Sequence, residues 1–216
     1  MNRLAAIVVA TALLSGRAWA NDPSAPDDTW KLESKRDNMD LFSRVRPGSS
    51  FKEFKAVTIF DATPGTVHNV LDDIDSYPQF MPYTTEARLV RREDATTTIV
   101  YQRLSPKLCS DRDYTLRVRK TSFPGADGLV YFDQWGIASE PDLPPKANVQ
   151  RVKICEGSWR LEPAGPNKTK ATYCIYTDSG GSLPAFIANT AGGMGIRRLF
   201  AALRKQVTLP KYSATN

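Results

Sequence analysis

The 216-residue sequence contains only one histidine and three cysteines, which limits the chemistry that it can support. With His68 as the single histidine, we assign no nucleophile–histidine–acid set and no zinc site. The cysteines are Cys109, Cys155 and Cys174, and an odd number cannot all pair within the chain. Cys155 and Cys174 fall in neighbouring predicted strands, where a disulfide and two buried thiols are both compatible with the sequence. We expect no catalytic residue, no metal and no cofactor.

Long hydrophobic runs are also scarce. Residues 4–14 form an apolar stretch of eleven residues, which is too short to span a bilayer, and no later run is long enough. The stretch follows Asn2 and Arg3 and precedes Ala18-Trp19-Ala20, a small-residue cleavage site. This arrangement predicts a secretory signal peptide at residues 1–20, cleaved after Ala20. We therefore expect a protein of the periplasm or a secreted protein.

Charge of one sign is not in strong excess. Removal of Arg3 and Arg17 with the signal peptide leaves 27 basic against 23 acidic residues. A net charge of this size is compatible with a solvated basic face and with transient contact with an anionic membrane surface. Export argues against nucleic acid as a partner.

The mature chain is interpreted as one domain at residues 30–210, between a flexible leader at 21–29 and a tail at 211–216. Strands, a helix, a run of antiparallel strands and a long helix follow one another, which predicts an α+β fold with a curved antiparallel sheet. Only the terminal helix is long enough to cover this sheet. A sheet wrapped around that helix can enclose an internal hydrophobic cavity.

Capping and turn residues give approximate positions for these elements. Residues 30–42 are expected to begin with a short helix and to pass into a strand. Thr63 as N-cap and Pro64 at the first helical position predict a helix that ends at Tyr77-Pro78. The strand candidates are residues 51–60, 85–93, 96–104, 113–122, 128–138, 149–162 and 169–178.

The terminal helix, expected from Ser182 toward Val207, combines an apolar stripe with glycines. Its inner stripe is expected to contain Ile187, Ala191, Met194 and Leu203. Its glycines are Gly192, Gly193 and Gly195. Each glycine weakens an exposed helix interior by about 0.5–1 kcal/mol relative to alanine. Two interpretations stay open: the glycines act as a hinge, or they permit close packing of the helix on the sheet.

Four segments occur in an order that resembles a known family. They are residues 74–82 (IDSYPQFMP), 110–114 (SDRDY), 157–163 (GSWRLEP) and 178–184. Over about residues 30–209 the chain resembles the START family, the lipid-transfer domains related to the steroidogenic acute regulatory protein. The first segment is also similar to polyketide cyclases of the wider superfamily. The resemblance implies a helix-grip fold, in which a bent antiparallel sheet holds a C-terminal helix over a hydrophobic cavity.

The resemblance also indicates one wall of this cavity. Many START domains carry a charged pair on neighbouring cavity strands, and ungapped matching from residues 112–113 places these two positions at Ile99 and Val118. Both are apolar here, which predicts a drier cavity. A slip of one residue would instead turn Arg117 or Arg119 inward, and the sequence leaves this choice open.

Further candidates for ligand contact share the parity of this wall or are bulky apolar residues. They are Phe80, Met81 and Tyr83 after the first helix, and Tyr101, Tyr114, Leu116, Trp135 and Trp159 on strands. The first three line an entrance or pack beneath a turn, and the others line the cavity or fill a core. Arg112 is a candidate for a ligand head group because its rigid donor fork suits carboxylate or phosphate. An ion pair with Asp113 at the strand end is its alternative role.

We expect an exported, monomeric lipid-binding or lipid-transfer protein that holds one hydrophobic molecule in a cavity closed by the C-terminal helix. Sterols, hopanoids, phospholipids, fatty acids and quinones all suit an apolar cavity. The alternative is an enzyme, either polyketide cyclase/aromatase-like or a lipid-ester hydrolase. Its acid–base chemistry would fall to Arg112, Asp113, Tyr101 or Tyr114. A third interpretation is an interaction module whose interior is filled by its own side chains.

Overall fold

A computed structural model describes residues 29–107, 109–140, 143–178 and 185–213, with only the backbone of Ala185 and Phe186. The predicted signal peptide at 1–20, residues 21–28 of the leader and residues 214–216 of the tail lie outside this range. The expected helix start at Ser182 lies outside it as well.

Ten strands form one sheet among the described residues. Their bounds are β1 Lys31–Arg36, β2 Met39–Val45, β3 Lys52–Phe60, β4 Thr84–Arg92, β5 Thr97–Leu104, β6 Arg112–Gly125, β7 Gly128–Ile137, β8 Gln150–Arg151, β9 Ile154–Pro163 and β10 Thr169–Asp178. The order across the sheet is β1-β2-β3-β10-β9-β7-β6-β5-β4, and these neighbours are antiparallel. The short β8 pairs with β6 in parallel. The sheet is therefore built mainly from sequence-adjacent strands, as the predicted antiparallel run requires.

Three α-helices accompany the sheet within the described residues. Their bounds are α1 Pro64–Asp72, α2 Tyr77–Phe80 and α3 Ala185–Gln206. The predicted start of α1 is confirmed, since the Thr63 side chain accepts a hydrogen bond from the Thr66 amide at 3.2 Å. The predicted end at Tyr77-Pro78 is wrong, because α1 stops at Asp72 and Pro78 lies in the first turn of α2. No helix of the described residues is both long and apolar enough to cross a membrane.

The N-terminal segment is a β-hairpin rather than the expected short helix and strand. β1 and β2 pair antiparallel around a two-residue turn at Asp37 and Asn38. Both turn residues have positive φ, 57° and 53°. Aspartate and asparagine tolerate this left-handed conformation, which suits the twist of a tight hairpin. This pair of turn residues was the signal that the sequence interpretation missed.

The second half of α3 is fixed in the main hydrophobic core. The Phe200 ring stacks on Phe60 with centroids 5.9 Å apart and lies 5.3 Å from the Trp159 ring. Leu203 is fully buried in the same cluster. The sheet therefore holds a C-terminal helix by its last turns, and the predicted α+β helix-grip architecture is confirmed.

Candidate ligand-binding cavity

A cavity of about 410 Å³ lies between the sheet and α3. Strands β3, β5, β6, β7, β9 and β10 supply its walls, α3 covers it over residues 188–199, and residues after α2 form part of its rim. Most of its lining surface is apolar. A volume of about 300–1,000 Å³ is typical of small-molecule sites. The interior is hollow, and the expected filled interior of an interaction module does not occur.

On β5, the side chains that face the cavity are one residue away from the expected ones. Val118 pairs with Thr98, and both line the cavity. Ile99 and Tyr101 point to the opposite face of the sheet, so their expected place in the cavity wall is corrected. Because side chains alternate along a strand, a one-residue error in the match moves every β5 side chain to the wrong face. Further wall residues of this pair include Val100, Gln102, Tyr114 and Leu116.

Neither arginine of the alternative register faces the cavity. Arg117 lies outside, where its Nε and Nη2 donate to the Glu93 carboxylate at 2.8 and 2.9 Å. Arg119 is exposed. At the charged-pair position the wall instead carries Thr98, whose buried Oγ1 has no hydrogen-bond partner in the described structure, opposite the apolar Val118.

A hydrogen-bonded ion pair covers the outer face of this wall. Arg151 donates from Nε and Nη2 to the Asp113 carboxylate at 2.6 and 3.0 Å, and the Tyr101 hydroxyl donates to Asp113 at 3.1 Å. Lys146 lies 5.2 Å from the Tyr101 ring centroid. Burial and the nearby Asp113 charge raise the pKa of Tyr101. Asp113 therefore faces away from the cavity, and the expected strand-end ion pair with Arg112 is not formed.

The rim residues divide between the cavity and the core. Met81 and Tyr83 line the cavity, whereas the Phe80 ring packs edge-on against Tyr77 with centroids 5.6 Å apart. Tyr83 has φ 63°, a left-handed conformation that is unusual for an aromatic residue. Its hydroxyl contacts the Arg198 guanidinium of α3. This contact joins the rim to the helix that covers the cavity.

The expected inner stripe of α3 is only partly correct. Ala191 lines the cavity. Ile187 and Met194 do not line it and are 41% and 53% exposed. Leu203 belongs to the buried core below the cavity-lining half of the helix. The helix therefore lines the cavity over residues 188–199, with Ile196 and Leu199 as its larger side chains there.

The three helix glycines have different surroundings. A Cβ on Gly192 would lie 2.9 Å from the Phe54 ring, which supports close packing at this position. A Cβ on Gly193 would make an ordinary contact of 3.5 Å with Leu41. Gly195 lines the cavity and has open space where a Cβ would be. The hinge stays a prediction, and it is best tested at Gly193 and Gly195.

Aromatic rings form the deep wall of the cavity. Trp135 and Trp159 both line it, as expected, together with Tyr173. The Tyr173 ring lies 4.5 Å from Trp159 and 5.9 Å from Trp135 between centroids. Burial raises the pKa of the Tyr173 hydroxyl. This wall therefore presents three aromatic rings to the cavity.

One end of the cavity carries charged residues that the sequence interpretation missed. Lys120 and Asp133 face each other across β6 and β7, and both line the cavity. The Lys120 ammonium contacts Asp72 of α1, and burial lowers its pKa. His68 Nε2 lies 3.7 Å from Asp133 Oδ1. Lys120 continues the alternation of residues 114, 116 and 118, so extending that pattern by one step would have found it.

Comparison with known proteins places this architecture in a family. Residues 60–204 match the family described as polyketide cyclase/dehydrase and lipid transport. The chain belongs to this family. Within it, the fold and the relatives identify a START domain, as the sequence resemblance implied.

Relatives of this START domain include transfer proteins. The chain is 27% identical over 189 residues to an uncharacterized protein of Pseudomonas aeruginosa, covering 87% of this chain and 88% of that one. It is 25% identical over 178 residues to the phosphatidylcholine transfer protein of Bos taurus, covering 81% and 82%. Among solved structures, a STAR-related lipid transfer protein from Xanthomonas axonopodis shares the fold with TM-score 0.73 and 24% identity, covering 84% of this chain and 100% of that one.

The structure changes which of the residues named for the enzyme alternative can reach a bound molecule. Asp113 and Tyr101, which the enzyme alternative named, lie outside the cavity, while Tyr114 and Arg112 line it. No group of histidine, cysteine, aspartate and glutamate among the described residues is arranged to hold a metal ion.

The cysteines of the described chain form no disulfide. Cys155 pairs with Thr177 and Cys174 with Ser158, so the two cysteines are three residues out of register. They also point to opposite faces, which is incompatible with a bridge. Cys155 lines the cavity, and burial raises the pKa of its thiol to about 12.

Proposed function

We propose that this START-domain protein is exported as a monomer and carries one hydrophobic lipid molecule in its cavity, with α3 as the part that moves for uptake and release. The main support is a hollow, mostly apolar interior of about 410 Å³ beneath that helix. Burial of a ligand's apolar surface there is favourable by about 25 cal/mol per Å² before ordering costs. Relatives that transfer phosphatidylcholine support a transfer role.

Transient contact with a membrane is part of this proposal. Ile187 and Met194 are exposed on α3, beside the part of the helix that covers the cavity. Apolar side chains at this position suit a lipid surface at the moment of exchange. Arg198, also on α3, lies next to the rim residue Tyr83.

Export and ligand content are tested on protein purified from the periplasmic fraction of its own cells. We expect the purified chain to begin at Asn21 and native mass spectrometry to detect one lipid per chain. A chain that keeps residues 1–20 in the cytosol contradicts export. Repeated absence of any bound or rebindable lipid contradicts the carrier function.

Filling the cavity should abolish binding while the fold persists. Leu116→Trp places an indole in the lining of β6, and we expect the affinity for a rebound lipid to fall at least tenfold. Its matched control is Leu129→Trp on β7, because Leu129 is 46% exposed and does not line the cavity. Lipid titration and circular dichroism compare the two variants. Equal affinity in both would place the ligand elsewhere.

Stiffening the centre of α3 should slow exchange. Gly193→Ala with Gly195→Ala adds about 1–2 kcal/mol of helix stability in total, without the clash expected at Gly192. If opening unwinds this segment, lipid transfer between vesicles slows by about tenfold while the unfolding temperature rises. The control is Ala201→Gly, in the half of the helix that packs into the core. It should lower the unfolding temperature and leave the rate of lipid transfer unchanged. Parental transfer rates in the double variant would exclude the hinge.

A further inference from the structure

Arg112, the first residue of β6, carries a buried guanidinium that faces the cavity. The residue is 6% exposed and belongs to the cavity lining. One terminal nitrogen donates to the Ser110 carbonyl, and Nε has no hydrogen-bond partner. Among the described residues, Arg112 forms no ion pair with a carboxylate. A buried positive charge is unfavourable without a compensating group, so this arrangement favours an anion from outside the chain.

The carboxylates next to Arg112 in the sequence are already occupied. Asp113 accepts hydrogen bonds from Arg151 and Tyr101 on the outer face. Asp111 accepts two hydrogen bonds from Arg103, at 2.9 and 2.6 Å. Neither carboxylate is therefore available to neutralise the guanidinium in the cavity.

The other cationic groups of the described lining differ from Arg112. Lys52 is paired with Glu33 at 2.5 Å. Lys120 contacts Asp72 and lies across the strands from Asp133. An anion that enters the cavity therefore meets compensated charges at these two lysines and an uncompensated one at Arg112.

The wall beyond Arg112 is suited to an apolar tail. Along β6 the next cavity-facing residues are Tyr114, Leu116 and Val118, and from β5 the facing residues include Val100. From Arg112 to Val118 the strand extends about 20 Å, a length that one extended acyl chain can follow. The cavity of about 410 Å³ lies in the lower half of the range typical of small-molecule sites, about 300–1,000 Å³. This space suits one chain better than the two chains of a diacyl phospholipid.

We propose that the ligand is a single-tailed amphiphile with an anionic head group, a carboxylate or a phosphate monoester, bound by the Arg112 guanidinium. The proposal rests on the carrier function proposed above and specifies its ligand class. A planar donor fork binds two oxygens of either head group at once, and the surrounding apolar wall strengthens such charge-assisted hydrogen bonds. The tail then lies along β6 toward the aromatic wall.

The test measures dissociation constants of the delipidated protein for hexadecanoate, hexadecyl phosphate and hexadecanol, which share one tail length. We expect at least one of the two anions to bind at least tenfold more tightly than the alcohol, and the comparison of the two anions identifies the head group. Arg112→Met should remove this preference and leave the affinity for hexadecanol within threefold. Arg112→Lys should retain part of the preference, since it keeps the charge without the fork.

Matched controls separate this proposal from the carrier function. Arg119→Met removes an exposed arginine of the same strand that does not line the cavity, and the head-group preference should persist. Tight binding of all three probes with no preference in the parent protein overturns the head-group assignment and leaves the carrier function intact. Binding of none of the three, or of phosphatidylcholine vesicles alone, overturns the single-tail class. If Arg112→Met does not fold, the preference of the parent protein and its decrease in Arg112→Lys decide the question.

Discussion

Replacing Asp113 with alanine will lower the free energy of unfolding by about 3 kcal/mol. Asp113 is fully buried and accepts hydrogen bonds from Arg151 and Tyr101. Without the carboxylate, the Arg151 guanidinium, which is 25% exposed, loses its counterion in a partly buried place. Arg151 also donates to the Leu143 and Pro144 carbonyls, so this segment loses its side-chain link to Asp113, while the backbone pairing of β8 with β6 remains. Urea unfolding at neutral pH measures the change.

A neighbouring aspartate provides the control for this prediction. Asp111 pairs with Arg103 at 2.6 Å, but the two side chains are 26% and 33% exposed. Asp111→Ala should therefore cost less than about 1 kcal/mol. A double-mutant cycle of Asp113→Ala with Arg151→Ala should give a coupling energy above about 1 kcal/mol. A coupling energy near zero would mean that the interaction between Asp113 and Arg151 does not contribute to the free energy of unfolding.

Elements with strong local signals were predictable from the sequence. The N-cap of α1 follows from Thr63 and Pro64 because capping depends on residues that are adjacent in the chain. On β6, the alternation of Tyr114, Leu116 and Val118 gave the correct cavity face because the side-chain period of a strand is two. The deep placement of two tryptophans on strands was also expected.

The register between strands was not predictable in the same way. Residues 105–111 connect β5 to β6, and a connection of this length does not set the pairing as a two-residue hairpin turn does. The β4–β5 pair also contains irregular steps at residues 84–86 and 89–91. A single residue of slip then exchanges the two faces of β5. Ile99 and Tyr101 are also as buried as wall residues, because Arg151 and Lys146 cover the outer face. Hydrophobic pattern alone therefore does not distinguish the two faces of this strand.

Adding a methyl group at Gly157 should be as damaging as removing Asp113. A Cβ there would lie 2.3 Å from Trp135 Cζ2 and 2.4 Å from the Cys174 carbonyl oxygen. Gly157 pairs with Trp135 across β7 and β9, so the indole lies where any other residue at position 157 would have its Cβ. Gly157→Ala must displace the ring or the backbone, and we expect it to lower the free energy of unfolding by about 3 kcal/mol. Thermal and urea unfolding measure this effect.

The displaced indole has an effect on the cavity that separates this variant from a merely unstable one. Trp135 lines the cavity, so a ring pushed away from β9 enters the space of the ligand and weakens lipid binding. Adding Trp135→Leu to Gly157→Ala removes the clash with the ring and should restore stability in part. The rescue stays incomplete because the contact of 2.4 Å with the Cys174 carbonyl oxygen remains. Gly193→Ala is the control, since it adds the same methyl group at a residue that does not line the cavity and makes only an ordinary contact of 3.5 Å with Leu41. If Gly157→Ala keeps the parental stability and lipid affinity, this glycine is not required for the position of the Trp135 ring.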